Sequence, residues 1–148
     1  MLKSEFSSLV DMQESVCAEF AQRQALGTKR NGRYEWITFE EFGRRIDACR
    51  AALAQMGVER GDKVAIIADN REEWAVAAYA TYGLGAHFVP MYEAQLPKDW
   101  TFILEDSEAV VLFVSTPDIY ARTRDFAGTV GKLREVVCLD AADGVDYS

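Results

Sequence analysis

The chain has little basic charge and a single histidine, His87: 16 Lys and Arg stand against 24 Asp and Glu, a net charge of −8. Nucleic-acid binding needs a basic face for the phosphates, so the balance argues against nucleic acid as a main partner. The cysteines number three, Cys17, Cys49 and Cys138, and none forms a CxxC pair. An odd count cannot close wholly into disulfides, so buried free thiols in a reducing cytosol are expected. One histidine and scattered cysteines leave no metal-ligating cluster. No apolar run nears the ~20 residues of a membrane helix. The start, MLKSEFSSLVDMQESV, carries acids and lacks the apolar segment of a signal peptide. A cytoplasmic protein, or part of one, is expected. Also missing are a Walker A loop, a GxSxG elbow and a dinucleotide fingerprint. Gly83-Leu84-Gly85 lacks the third glycine of that fingerprint and follows a helical pattern rather than a strand.

What is present is globular. Apolar residues make up 49% of the 148 positions and charged residues 27%. That length suffices for one domain burying about two thirds of its unfolded surface. Periodicity predicts a helix from about Leu9 to Ala25, with Val10, Val16, Cys17, Phe20 and Leu26 as a loose apolar stripe. Asn31-Gly32 between ALGTKR and RYEWIT predicts a type I′ turn and an antiparallel hairpin over 25–30 and 33–38. Thr38 and Glu41 form a capping box for a helix whose apolar face is Phe42, Ile46, Cys49, Leu53 and Met56. Gly57 is its expected stop. Arg44, Arg45, Asp47 and Arg50 fall on the other face and read as solvated.

From Gly61 onward the pattern alternates. Lys63–Ala68, Ala86–Val89, Ala109–Val114 and Glu135–Leu139 read as short apolar strands, the second stopped by Pro90. Between them lie helices over Arg71–Tyr82, capped by Asn70 with Glu73 at the third position, over Pro97–Glu105 and over about Pro117–Phe126. Helical crossovers between apolar strands imply a mostly parallel α/β sheet with helices on both faces, plus the small hairpin near the N-terminus. Residues 1–148 read as one incomplete domain, with 140–148 a loose tail.

Few side chains point to chemistry. His87 lies on a strand with no partner in view and reads as structural. Trp36, Trp74 and Trp100 sit beside element boundaries, as core or interface anchors do. Asp69 and Asn70 close a parallel strand, where such sheets place ligands, although capping alone accounts for Asn70. Lys29, Arg30 and Arg33, like Arg122 and Arg124, could meet a phosphate but read first as solvated faces.

Five segments then occur in order: WITFEEF from Trp36, MGVERGDKVAI from Met56, NREEW from Asn70, GLGAHFVPMY from Gly83 and LEDSEA from Leu104. Together they resemble the N-terminal region of the adenylate-forming (AMP-binding) enzymes, over about Val10 to Leu139. The NREEW form is most similar to the long-chain fatty acyl-CoA synthetases. The resemblance implies a two-step reaction in which a fatty acid carboxylate attacks ATP, with Mg²⁺ assisting, and the CoA thiol then displaces AMP. Step one needs a Gly/Ser/Thr-rich phosphate loop and cations. In this family that loop, the acidic ribose and metal residues and a C-terminal lysine follow the region that these 148 residues match. The resemblance therefore transfers no catalytic residue, and the chain alone is expected to be inert and to bind no cofactor tightly. Fatty acid, ATP and CoA would be partners through the remainder of the enzyme, which could associate peripherally with a membrane. Exposed apolar surface would favour self-association. On the CoA side the resemblance offers Tyr92, Arg122 and Arg124. Two departures stand out: VPMYEAQ replaces the usual V-P-x-Y-x-T, with Gln95 where some relatives carry a basic residue nearby, and His87 replaces a small or apolar residue. The alternative, a stand-alone α/β ligand-binding or scaffold module without catalysis, would use the strand ends near Asp69 and Pro90.

Overall fold

The computed structural model describes residues 5–140. Its architecture follows from two strands, β3 (Lys63–Ile67) and β5 (Val111–Val114), which are buried at every position but Lys63. (The preceding β1, Gln24–Arg30, and β2, Arg33–Thr38, form the separate hairpin.) Strands apolar on both faces must be covered twice. Val64, Ile66, Val111 and Phe113 pack into one core with Ile46, Cys49 and Leu53 of α2 (Phe39–Gln55) and with Val76, Ala77 and Ala80 of α3 (Glu72–Gly83). Ala65, Ile67, Leu112 and Val114 pack into a second core with Trp100 and Leu104 of α4 (Pro97–Ser107) and Ile119 of α5 (Pro117–Thr123).

The main sheet has the order β4-β3-β5-β6, with β4 (His87–Met91) and β6 (Glu135–Cys138) at its edges. All three pairings are parallel. From β3 the chain runs through α3 to β4 on one side. It then returns through α4 to β5 on the other side of β3. The direction of winding thus reverses between β3 and β5, a point at whose C-terminal ends parallel sheets place ligands.

The hairpin forms as expected. β1 (Gln24–Arg30) pairs antiparallel with β2 (Arg33–Thr38), and Asn31 and Gly32 take φ of 48° and 79°. The first helix, α1 (Leu9–Glu19), stops well short of Ala25. Leu26 belongs to β1, where pairing with Ile37 overrides the helical spacing. Thr38 Oγ1 accepts the Glu41 N–H at 3.2 Å, so half of the capping box is made. The Glu41 side chain instead accepts from Arg44 at 2.9 and 3.0 Å and from Arg45 at 2.7 Å. Arg45 also bonds Glu72 at 3.0 Å and joins α2 to α3, so it is not merely solvated. Arg50 lies against Gly83, where any Cβ would fall 2.1 Å from its Nε.

Three further boundaries differ. The N-cap position of α3 is Arg71, not Asn70, and it makes no side-chain capping bond. Arg71 is extended, which leaves Asn70 exposed and outside the helix. Pro90 lies inside β4 rather than ending it; on an edge strand the missing N–H faces no neighbour. Arg124–Phe126 forms a 3₁₀ turn rather than a continuation of α5. Of the predicted tail, Asp140 is held by its neighbours, and 141–148 lie outside the described residues.

Two predictions follow from this packing. Leu104 is fully buried, so Leu104→Ala should cost roughly 2–5 kcal/mol, read as a lower urea midpoint at unchanged slope. The hydrogen bonds from Arg44 and then Arg45 hold the Glu41 carboxyl at about 2, below its ordinary 4.5. A depressed carboxyl stabilises the fold above its unfolded value and loses that contribution as pH falls toward the folded one. Glu41→Gln should therefore lower the thermal midpoint at pH 6, with the gap to the parent closing as pH approaches 2.

Candidate functional site

The C-terminal ends of the parallel strands gather the polar side chains of this sheet. Asp69 and Asn70 follow β3, Tyr92 and Glu93 follow β4, Ser115 follows β5, and Asp140 follows β6. Beside them lies an open cleft of about 580 Å³, lined by Ala68, Asp69, Asn70, Trp74, Met91 and Tyr92 among others. A second cleft of about 460 Å³ separates β1 from the start of α3, with Lys29, Asn70 and Arg71 in its wall.

Two networks organise this end. Glu93 comes from the loop between β4 and α4 and reaches over β3. Its Oε1 accepts the Asp69 N–H at 3.0 Å and the hydroxyl of Ser115. Ser115 is buried, with 2% exposure. Arg71 donates to Glu73 at 2.8 and 3.0 Å, to Asp140 at 2.7 Å and to the Ser115 carbonyl at 3.4 Å. One guanidinium thereby ties the start of α3 to the ends of β5 and β6. Charge-assisted bonds of this kind favour the ionised forms. The hydrogen bond to Glu73, then that to Asp140, holds Arg71 above its usual range. Burial pushes Glu73 up, but Arg71 outweighs it and the carboxyl ends below its ordinary value. Asp140 is lowered by its bond to Arg71.

The residues singled out from sequence are partly brought together. Tyr92 is 76% exposed, and its carbonyl accepts the Trp100 Nε1–H at 3.0 Å. Arg122 stands over the Trp100 ring at 5.0 Å and bonds Asp118 at 3.1 Å. Trp100 thus links Tyr92 and Arg122. Arg124 is exposed in the 3₁₀ turn and has Asp125 as its ionic partner at 4.0 Å. Gln95 accepts the Tyr92 N–H at 3.0 Å, so its side chain shapes the loop. His87 begins β4, at the end of the strand opposite the cleft. Trp100 is a full core anchor, Trp74 meets Phe88 edge-on at 5.1 Å, and Trp36 remains 49% exposed over Gly27.

Local sequence patterns missed Glu93, Ser115 and Arg71. The available signal was a lone serine directly after a four-residue apolar strand, at a position that parallel sheets reserve for ligands. Among the described residues no group of three or more His, Cys, Asp or Glu could hold a metal ion. No helix among them is long and apolar enough to cross a membrane.

Comparison with known proteins matches residues 13–148 to the family described as AMP-binding enzyme. The long-chain-fatty-acid–CoA ligase FadD15 of Mycobacterium bovis is 38% identical over 101 residues, 68% of this chain and 17% of that protein. Fatty acyl-CoA synthetase B of Dictyostelium discoideum is 25% identical over 150 residues, 97% of this chain and 22% of that protein. The chain therefore spans about a fifth of the length of these relatives. Among solved structures, a fatty acyl CoA synthetase of Mycobacterium tuberculosis superposes with a TM-score of 0.76 at 22% identity, covering 89% of this chain and 26% of that one. The A-PCP didomain of a carboxylic acid reductase from Segniliparus rugosus reaches 0.81 at 19% identity, covering 97% and 23%. At such identities these structures show the shared fold.

Arg71→Ala should leave the core intact yet loosen the end of β6. Exchange of the Leu139 and Asp140 amides, which bond Val114 and Ser115 carbonyls, should quicken by roughly tenfold. The difference from the parent should shrink in acid, since the lowered Glu73 and Asp140 carboxyls keep the tie only while ionised.

Proposed function

The chain belongs to the AMP-binding enzyme family, and from that premise we propose that it is the N-terminal part of a long-chain fatty acid–CoA ligase. The observation that carries this reading is the 38% identity to a ligase of that name across two thirds of the chain. In the whole enzyme a fatty acid carboxylate oxygen would bond to the α-phosphorus of ATP as pyrophosphate leaves. The CoA thiolate would then bond to the acyl carbon as AMP leaves.

The contribution of these 148 residues to that reaction is a frame. They contain no Gly/Ser/Thr-rich phosphate loop to hold a triphosphate. Among the described residues no group of three or more His, Cys, Asp or Glu could hold a metal ion by itself, and Mg²⁺ would enter with the substrate phosphates. What they offer is a surface for CoA. The backbone carbonyl of Tyr92 and the guanidinium of Arg122 meet at the Trp100 indole, the Tyr92 side chain is exposed, and the arginines at 122 and 124 keep side-chain exposures of 42% and 63%. Exposed guanidinium groups beside an aromatic ring suit a phosphorylated nucleotide. A cytoplasmic location, with the whole enzyme able to rest on a membrane surface, belongs to the same reading. So does self-association of the isolated chain through exposed Leu96 and Phe102.

Given ATP, Mg²⁺, a long-chain acid and CoA, the purified chain should release no pyrophosphate above blank; steady release would sink the proposal. In a ligase containing this chain, Arg122→Ala should raise KM for CoA by roughly tenfold, the effect of losing one charged hydrogen bond. The pyrophosphate exchange of the adenylation half-reaction should stay unchanged.

A further inference from the structure

At the reversal point between β3 and β5 the two strand ends are bridged by the chain itself. Glu93 arrives from the loop that follows the neighbouring strand β4, and a single carboxylate oxygen takes two donors, the Asp69 N–H at 3.0 Å and the Ser115 hydroxyl. One donor belongs to the end of β3 and the other to the end of β5. A backbone amide and a hydroxyl converging at the carboxyl ends of parallel strands form the donor set with which such sheets hold anionic ligands. The hydroxyl is built into the site, because Ser115 is 2% exposed and cannot turn to water.

We propose that the ends of β3 and β5 form a carboxylate-binding site, made by the Asp69 N–H and the Ser115 hydroxyl, which Glu93 occupies as a tethered ligand. The tether explains the loop that bears it. Residues 92–96 are pinned across the strand ends by Glu93, while Gln95 and the Trp100 indole hold the Tyr92 backbone at 3.0 Å each. A free carboxylate enters only when Glu93 leaves, and the loop is released with it. This proposal does not rest on the ligase reading.

The test removes the tethered ligand and supplies a free one. In Glu93→Ala, the Asp69 amide should exchange with solvent at least several-fold faster than in the parent. Sodium acetate should shift the Asp69 and Ser115 amide resonances with half-saturation between about 1 and 100 mM, the range of a small ligand held by two hydrogen bonds. Sodium chloride at equal ionic strength should not. The parent chain should be unmoved by acetate, and Glu93→Ala with Ser115→Ala should lose the response. No acetate shift in Glu93→Ala, an equal shift in the parent, or a shift that survives loss of the hydroxyl each overturns the proposal. Should Glu93→Ala not fold, Ser115→Ala alone decides. Exchange of the Asp69 and Gln95 amides must then rise several-fold without rescue by acetate, and unchanged exchange overturns the proposal.

Discussion

The two-sided burial of β3 and β5 is the constraint from which the rest of the architecture descends. Val64 and Ile66 point to one core, and Ala65 and Ile67 to the other. At roughly 25 cal/mol per Å² of apolar surface, leaving either face uncovered would forfeit more than any polar contact in the molecule returns. Helices must therefore cover both faces, and consecutive crossovers must pass on opposite sides of β3. That requirement, rather than any motif, produces the reversal of winding between β3 and β5. Alanines at 77, 78 and 80 let α3 approach closely enough to seal one face, while the indole of Trp100 fills the other.

Against this apolar frame the polar contacts are second-order for stability but decisive for geometry. A neutral hydrogen bond contributes about 1 kcal/mol net, and exposed ion pairs contribute less. The Arg71 and Glu93 networks therefore do not hold the sheet together. They fix where its loops go: Arg71 joins the ends of β5 and β6 to the start of α3, and Glu93 lays the β4–α4 loop across β3. Loops set by a few replaceable bonds on a rigid scaffold can diverge without loss of fold. The reductase didomain keeps the shared fold at 19% identity, with a TM-score of 0.81.

This division also explains what the sequence disclosed. Apolar periodicity and turn chemistry are local, so the α2 face of Phe42, Ile46, Cys49 and Leu53, the Asn31-Gly32 turn and the parallel strands were all legible. Errors arose where a distant partner decided a local choice. Leu26 fits a helical stripe but pairs with Ile37. Asn70 looks like a cap, yet Arg71 sits at the N-cap position, its guanidinium drawn to Asp140 at a separation of 69 residues. Pro90 reads as a stop until the strand order places β4 at an edge. The Glu93–Ser115 contact joins positions 22 apart that share no periodicity, so no window of sequence reveals it.

The same logic separates scaffold from chemistry within this family's frame. Stabilising a triphosphate as it reacts requires several preorganised donors and cations around one point. A sheet end built from four short strands presents one or two donors per strand. Here those of Asp69 and Ser115 are taken by Glu93, and those of Arg71 by Glu73 and Asp140. With its strongest donors satisfied internally, this end of the sheet is suited to placing other elements. Under the proposal above, the Asp69 amide and the Ser115 hydroxyl would hold a single carboxylate, a task that two donors suffice for.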